Sequence, residues 1–526
     1  PMSKHDPQSP SLPGVARRSF LRLTLGSALG SWVGSGSAFS APTRHALFSD
    51  YPFQLGVASG DPDPDGFVLW TRLAPKPLIN GGGMNGAPVE VSWQVAEDES
   101  FAKVVRTGTV IAQASWGHSV HVETSGLRPD RWYWYRFFAA GEVSPIGRTR
   151  TAPAAGAAVD RLRFAFASCQ HFETGLYTAY EHMRADSPDL VLHLGDYIYE
   201  GGASRNKVRA HLGGELHTLD EYRNRYALYR TDPHLQAMHA AAPWVVTWDD
   251  HEVDNNYANA ISEERLVTSR QLLRRRAAAY QAYYENMPLR RAQGPAGPNL
   301  RLFRRIDWGR LAQFSVLDTR QYRTNQPCGD GQKAPCPDSL REDATILGAY
   351  QRNWLFQGLA RREAQWSILA QQVMMARVDR KAGPEETFSM DQWPGYEADR
   401  RRVLRHFRQA QVNNPVVLTG DIHTNWANEL GLEFDRETDP VAVELVGTSI
   451  SSGGDGEAEP KYLPTLLSEN PAVKFHNAER GYVRCELTPA GLQADFRTVP
   501  FVTKPGAPCQ TRRSFTVEPG RARLLS

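Results

Sequence analysis

From Asp160 onward the chain repeats one pattern: a short apolar run, a polar cluster, then a stretch with helical spacing. The runs are Leu162 to Ala167, Leu190 to Leu194, Trp244 to Trp248, Phe314 to Leu317, Ser367 to Ala370, Val416 to Thr419 and Val441 to Val446. Runs this short and continuous are the signature of strands buried on both faces. Between them, Tyr177-Tyr180-Met183 and Leu272 to Met287 carry helical spacing, and Pro288 ends the second. The segment is therefore expected to form a layered α/β domain.

The preceding region, from Ala46 to about Arg150, has a different period. Val89, Val91, Trp93 and Val95 alternate with polar residues, and residues 66–70 and 131–138 are aromatic-rich strands. The segment Gly126-Leu127-Arg128-Pro129-Asp130 before Trp132 is similar to the turn that precedes a late strand of fibronectin type III sandwiches. Residues 152–158, small and Pro-containing, read as a linker. The expected organisation is a leader over 1–40, an all-β sandwich of fibronectin III or immunoglobulin type over 46–150, and the α/β domain over 160–526. A chain of 526 residues with 41% hydrophobic content can bury the core this needs.

The leader is read from Arg17-Arg18-Ser19-Phe20-Leu21, the apolar stretch Leu23 to Val33, and Ala38-Phe39-Ser40 before Ala41. This is a twin-arginine export pattern with a small-residue cleavage site. The stretch is too short and too rich in Gly and Ser to span a bilayer, which needs roughly 20 residues. A periplasmic or secreted protein that uses the twin-arginine export machinery is the expectation. Lys4, Arg17, Arg18 and Arg22 against Asp6 account for the small positive excess, so the remainder is close to neutral. Such a balance carries no nucleic-acid signature, and no later run is long enough for a membrane helix.

Four of the apolar runs end in ligand-capable clusters: Ser168-Cys169-Gln170, Gly195-Asp196-Tyr197-Ile198-Tyr199, Asp249-Asp250-His251-Glu252 and Gly420-Asp421-Ile422-His423. In α/β sheets the carboxyl ends of strands converge on one edge, so the four clusters point to a single site. Any one alone is weak, because an Asp after a strand is commonly a helix cap. Cys169 is the odd thiol of five. Cys328 with Cys336, and Cys485 with Cys509, are reasonable disulfides in an oxidising compartment, which leaves Cys169 as a metal ligand.

The loops Gly195-Asp196-x-x-Tyr199, Asp250-His251-Glu252 and Gly420-Asp421-x-His423 resemble the alkaline phosphatase D family of the calcineurin-type metallophosphoesterases. The resemblance extends to Ala167-Ser168-Cys169-Gln170, to Trp248 through Glu252, and to Leu317-Asp318-Thr319-Arg320-Gln321-Tyr322-Arg323. It implies an N-terminal β-sandwich before a layered metallophosphoesterase domain, and an Fe and Ca centre. Against the wider superfamily, Cys169 replaces the usual first Asp, Asp250 the usual Asn and Asp421 a usual His, while Gln371 or Gln372 stands where a further His is common.

Donor chemistry reads the same way. Thiolate Cys169, phenolate Tyr199, His423 and Asp196 form an electron-rich set that favours Fe3+. Asp196 as a bridge, with Asp250 and Asp421, offers an oxygen-only position suited to Ca2+, with Mg2+ or Mn2+ less favoured. Asn255 or Asn256 either completes that shell or is an ordinary turn residue. A pair of cations of this kind lowers the pKa of a water to yield hydroxide for in-line attack on a phosphoester. His251 then either protonates the leaving oxygen or orients Asp250. Glu252 is read as structural and Arg320 as an internal salt-bridge former with Asp318. The run Arg270, Arg274, Arg275, Arg276 is read as a solvated helix face. Gly447 to Gly454 lacks a P-loop ending and reads as a loop near the site whose N–H groups face substrate. The expected activity is a phosphatase with phosphodiesterase capacity. The alternatives are a phospholipase D-like diesterase and, in a different class, a cell-surface binding protein descended from a retired enzyme.

Overall fold

The structure, a computed structural model, describes residues 48–205, 207–432 and 439–526; the leader pattern lies outside the described residues. Two large sheets face each other. The first has nine strands in the order Gln510–Val517, Gly491–Val499, Arg480–Thr488, Leu162–Ala167, Leu190–His193, Trp244–Val246, Val57–Asp63, Gly66–Arg72 and Ser119–Glu123. The second has seven, in the order Arg304–Trp308, Ala312–Val316, Trp366–Ala370, Pro415–Thr419, Ala442–Val446, Asn425–Leu430 and Val473–Asn477.

Side-chain parity decides what each face packs against. Phe164, Phe166, Leu190, Leu192 and Val245 point toward Phe314, Ile368, Val416, Leu418, Val443 and Leu445, forming the core between the sheets. The alternate residues Ala165, Ala167, Val191, Trp244 and Val246 pack under helices, against Tyr180, Met183, Tyr226, Met238, Tyr280 and Tyr283. On the far side, Leu369, Val417 and Val446 meet Leu355, Leu359, Val403, Leu404 and Phe407 of helices Gly348–Arg361 and Glu397–Gln409. Continuous apolar runs arise because both faces of each central strand are covered.

Every apolar run read as a strand lies on one, with ends within a few residues of expectation. The helix expected over Leu272 to Met287 spans Ser269–Asn286, opened by a capping box between Thr268 and Gln271. Its basic run is not uniformly solvated. Arg270 and Arg274 are exposed, but Arg275 is buried on Asp254 at 2.8 Å and Arg276 donates to the carbonyls of Pro298 and Asn259.

The N-terminal region is the expected all-β sandwich. One of its sheets carries Val104–Ala112, Val89–Ala96, Trp132–Ala139 and Glu142–Val143, with Gly147–Arg150 paired to the third. Its apolar face, including Val91, Val95, Tyr135 and Phe137, covers Val57, Phe67, Leu69, Val120 and Val122. Those last residues sit on strands of the nine-stranded sheet, which Gly60 joins by parallel pairing with Trp244. One sheet thus serves both the sandwich and the α/β layers.

Cys328 and Cys336 form a disulfide, as expected. Cys485 and Cys509 do not. Cys485 lies in the core between the sheets beside Val483 and Leu487, whereas Cys509 packs on the helical side of the same sheet, near Val502 and Ala507. The pleat separates them.

Candidate metal centre

The strands Leu162–Ala167, Leu190–His193 and Trp244–Val246 run parallel to one another, as do Ala312–Val316, Trp366–Ala370, Pro415–Thr419 and Ala442–Val446. The loops after them meet across the gap between the sheets. Ser168 bridges Ser449, and a Cβ on Gly420 would stand 2.6 Å from Ser168 Oγ. The four ligand-capable clusters are brought together by this convergence.

Donor atoms of Cys169, Asp196 and His423 lie within 4.8 Å of one another; so do those of Asp196, Asp250 and His251, and those of Asp249, Asp250 and Asp421. Tyr199 joins the first group, donating to Asp196 Oδ2 at 2.9 Å and lying 3.1 Å from His423 Nε2. Asp196 is common to the first two groups and Asp250 to the last two. The three groups thus form one continuous set of donors able to hold metal ions.

The backbone is bent to achieve it. Cys169, Asp196, Asp421 and His423 all have φ between 55° and 66°, a region that side chains with a Cβ enter at a cost. Gly195, at φ 108°, lets the Asp196 loop touch the next one, where a Cβ would meet Asp249 N at 2.5 Å.

Electrostatics supports a cation. Burial, reinforced by Asp196, pushes the Cys169 thiol and the Tyr199 phenol well above their ordinary values. Burial likewise raises Asp196 and Asp249 well above the carboxylate range and Asp421 to about 6, the latter against the pull of Arg320. Burial takes His423 down to about 3, leaving its imidazole neutral. Asp196 Oδ1, Asp249 Oδ2 and Asp250 Oδ1 are buried without a hydrogen-bond partner. Orphaned acceptors in a crowd of acids that resist ionisation fit a multivalent cation, which reverses that resistance. The donor set therefore suits metal binding.

Several residues take roles the sequence did not disclose. Glu200 Oε2 lies 2.7 Å from His251 Nδ1, and its other oxygen accepts from Asn255 N at 2.8 Å. Burial disfavours imidazolium at His251, but Glu200, Asp196 and Asp250 outweigh it and hold the pKa well above the ordinary value. Arg320, with no exposed surface, does not bridge the Asp318 carboxylate with its guanidinium. It binds Asp249, both oxygens of Asp391 at 2.9 and 2.8 Å, and Asp421 at 3.1 Å, and lies 3.5 Å from Asp250. Glu252 accepts from the backbone of Asp196, Tyr197 and Asp249.

Other residues named from the sequence have defined partners, and the loop expected to face substrate does not. The amides of Gln371 and Gln372 are fully engaged, the first with Thr419, Val373 and Trp393, the second with Thr319, Thr247 and Leu317. The N–H groups of Ile450, Ser451 and Ser452 bond Ser168 and Cys169 rather than facing a cleft, and Ser452 Oγ lies 2.7 Å from Tyr199 OH. Asn256 N donates to Asp250 Oδ2 at 2.7 Å, whereas Asn255 Nδ2 turns to Glu263.

Comparison with known proteins identifies the family of the chain. Residues 164–496 match the family model described as PhoD-like phosphatase, and residues 38–153 match the model of the PhoD-like phosphatase N-terminal domain. The chain is 50% identical over 515 residues to alkaline phosphatase D of Bacillus subtilis (strain 168), covering 95% of this chain and 87% of that protein. A solved structure described as "Structure of PhoD" superposes with a TM-score of 0.89 at 51% identity, over 91% of this chain and 93% of that one.

Proposed function

The chain belongs to the PhoD-like phosphatase family and is a phosphatase, and from that premise we propose that it hydrolyses phosphate mono- and diesters at a dinuclear Fe3+ and Ca2+ centre after export by the twin-arginine route. The observation that carries the reading is a run of donor groups linked through Asp196 and Asp250: a thiol, a phenol and an imidazole with Asp196 at one end, carboxylates alone with Asp250 at the other. Cys169, Asp196, Tyr199 and His423 would hold the iron; Asp196, Asp250 and Asp421 would hold the calcium. When bound, the ions supply neutralisation of phosphoryl charge and a lowered pKa for water.

The chain's own residues do the rest. Glu200, 2.7 Å from His251 Nδ1, orients the ring and favours its protonated form. As water's oxygen bonds to phosphorus and the bond to the leaving oxygen breaks, His251 passes its proton to that leaving oxygen. Arg320 stays behind the carboxylates as a fixed cation; having no exposed surface, it does not clamp substrate. Every cluster keeps its donors, which removes the basis for reading the domain as a retired enzyme. The disulfide Cys328–Cys336 and the Arg17-Arg18 pattern support a periplasmic or secreted location.

The test uses purified protein, its metal content known, given p-nitrophenyl phosphate, bis(p-nitrophenyl) phosphate and phosphatidylcholine. Release of nitrophenol from both chromogens is expected. Turnover of phosphatidylcholine alone would turn the reading toward a phospholipase D-like diesterase.

A further inference from the structure

Glu252 carries a carboxylate that is 1% exposed and takes its hydrogen bonds from backbone N–H groups of two different loops. Oε2 accepts from Asp196 N at 3.1 Å and Asp249 N at 2.8 Å; Oε1 accepts from Tyr197 N. Asp196 has φ 55°, so the successive N–H groups of Asp196 and Tyr197 turn inward as a concave anion-binding nest, with the Glu252 carboxylate in it. Those two bonds reach across from the loop that carries Glu252 and Asp250, while the third, from Asp249 N, is local to that loop and anchors the carboxylate on it.

We propose that Glu252 is a positioning residue that sets the register between the Asp196 loop and the Asp249-Asp250 loop, and through it the separation of the two cation positions. Asp196 belongs to the donor group with Cys169 and His423 and also to the group with Asp250 and His251. A displacement of Asp196 therefore weakens both positions together, whereas loss of a donor found in one group weakens that one. The two loops are in close contact at Gly195, where a Cβ would stand 2.5 Å from Asp249 N, so a change in their register is felt at the centre. Glu252 is in none of the donor groups, and it acts through the backbone it holds. The inference rests on the metallohydrolase reading above.

Glu252→Gln retains the shape but puts an NH2 donor where two oxygens each faced N–H groups, so at least one N–H of the Asp196 loop loses its acceptor. The experiment measures iron and calcium content after growth with both metals, and calorimetric Ca2+ binding to metal-stripped protein, for parent, Glu252→Gln, Asp421→Asn and Asp399→Asn. Asp399 is a buried carboxylate that accepts from the backbone of Ile346 and Leu347 and is no part of the centre. Expected for Glu252→Gln are parallel losses of iron and calcium, with Ca2+ affinity lower by about 10- to 100-fold. Asp421→Asn should lose calcium and keep iron. Asp399→Asn should melt lower with unchanged Ca2+ affinity. Folded Glu252→Gln that retains iron and binds Ca2+ like the parent overturns the proposal. Where that variant fails to fold, Glu252→Asp decides, because a carboxylate shortened by one methylene loses its reach from its own loop to the N–H groups of Asp196 and Tyr197; parental Ca2+ affinity in it is equally fatal. A parent that binds neither cation overturns the metal reading and this inference with it.

Discussion

Arg320→Met isolates the part of the centre that is electrostatic rather than coordinative. The guanidinium has no exposed surface and meets Asp249, Asp391 and Asp421 within hydrogen-bond distance, with Asp250 at 3.5 Å. Methionine fills the stem but removes the charge. Asp391 keeps Arg323 at 3.0 Å, so the groups left without their cation are Asp249, Asp250 and Asp421. Removing one partner of a buried ion pair destabilises by about 3–5 kcal/mol, and that is the loss expected here in metal-free protein. The sign of its pH dependence follows from Asp421. Burial holds its folded pKa at about 6 against Arg320's pull, above the ordinary value of 3.8, so the folded state binds more protons than the unfolded chain between those values. Stability falls as pH rises through that window. Without Arg320 the folded pKa climbs further, and the deficit of the variant relative to the parent widens from pH 5.5 to pH 8. Calcium at about 100 times its Kd restores about 2.7 kcal/mol by mass action. Urea unfolding followed by tryptophan fluorescence, at both pH values and with and without Ca2+, reads all three quantities. A loss below about 1 kcal/mol at pH 8, or one that does not depend on pH, would refute the reasoning.

Two further outcomes follow from the same contacts. His251→Asn should lower turnover of alkyl phosphoesters by about 10²- to 10⁴-fold and spare nitrophenyl esters, whose leaving group needs no proton. Glu200→Gln should move the alkaline limb of the alkyl-ester profile to lower pH, since His251 loses its principal anionic neighbour; identical profiles for parent and variant would count against the acid role. His193 is fully buried and burial alone takes it to about 3, so between pH 6.5 and 3 the unfolded chain takes up a proton that the folded chain does not. Stability should therefore fall on acidification, by about 2 kcal/mol from this group between pH 6.5 and 5. In His193→Phe the pH slope of chemical unfolding should flatten by that amount, and an unchanged slope would reject the assignment.

What the sequence discloses here is what local pattern can carry. The central strands are covered on both faces, so they read as continuous apolar runs, and a donor cluster at the end of four of them was visible as an abrupt change of chemistry. The strands Arg480–Thr488 and Gly491–Val499 were not read, because alternation such as Val483, Arg484, Cys485, Glu486 mixes core and polar faces within a few residues. The shared sheet rests on one pairing, Gly60 with Trp244, far apart in the chain. Long-range partners were equally invisible: Arg320 meets Asp249 and Asp391, each 71 residues away, while its near neighbour Asp318 instead caps backbone N–H groups. Glu200 follows the candidate ligand Tyr199 directly, and its carboxylate beside a conspicuous His251 was the one missed role with a local signal. The Cys485 and Cys509 pairing failed on parity, which spacing alone does not reveal.

The most direct test of the central claim is the metal content of the purified protein together with its visible absorption, in the parent and in Tyr199→Phe. The account predicts iron and calcium bound in stoichiometric amounts and a phenolate-to-iron charge-transfer band that disappears in the variant. Zinc without iron, or a band that survives the loss of the Tyr199 hydroxyl, would contradict it.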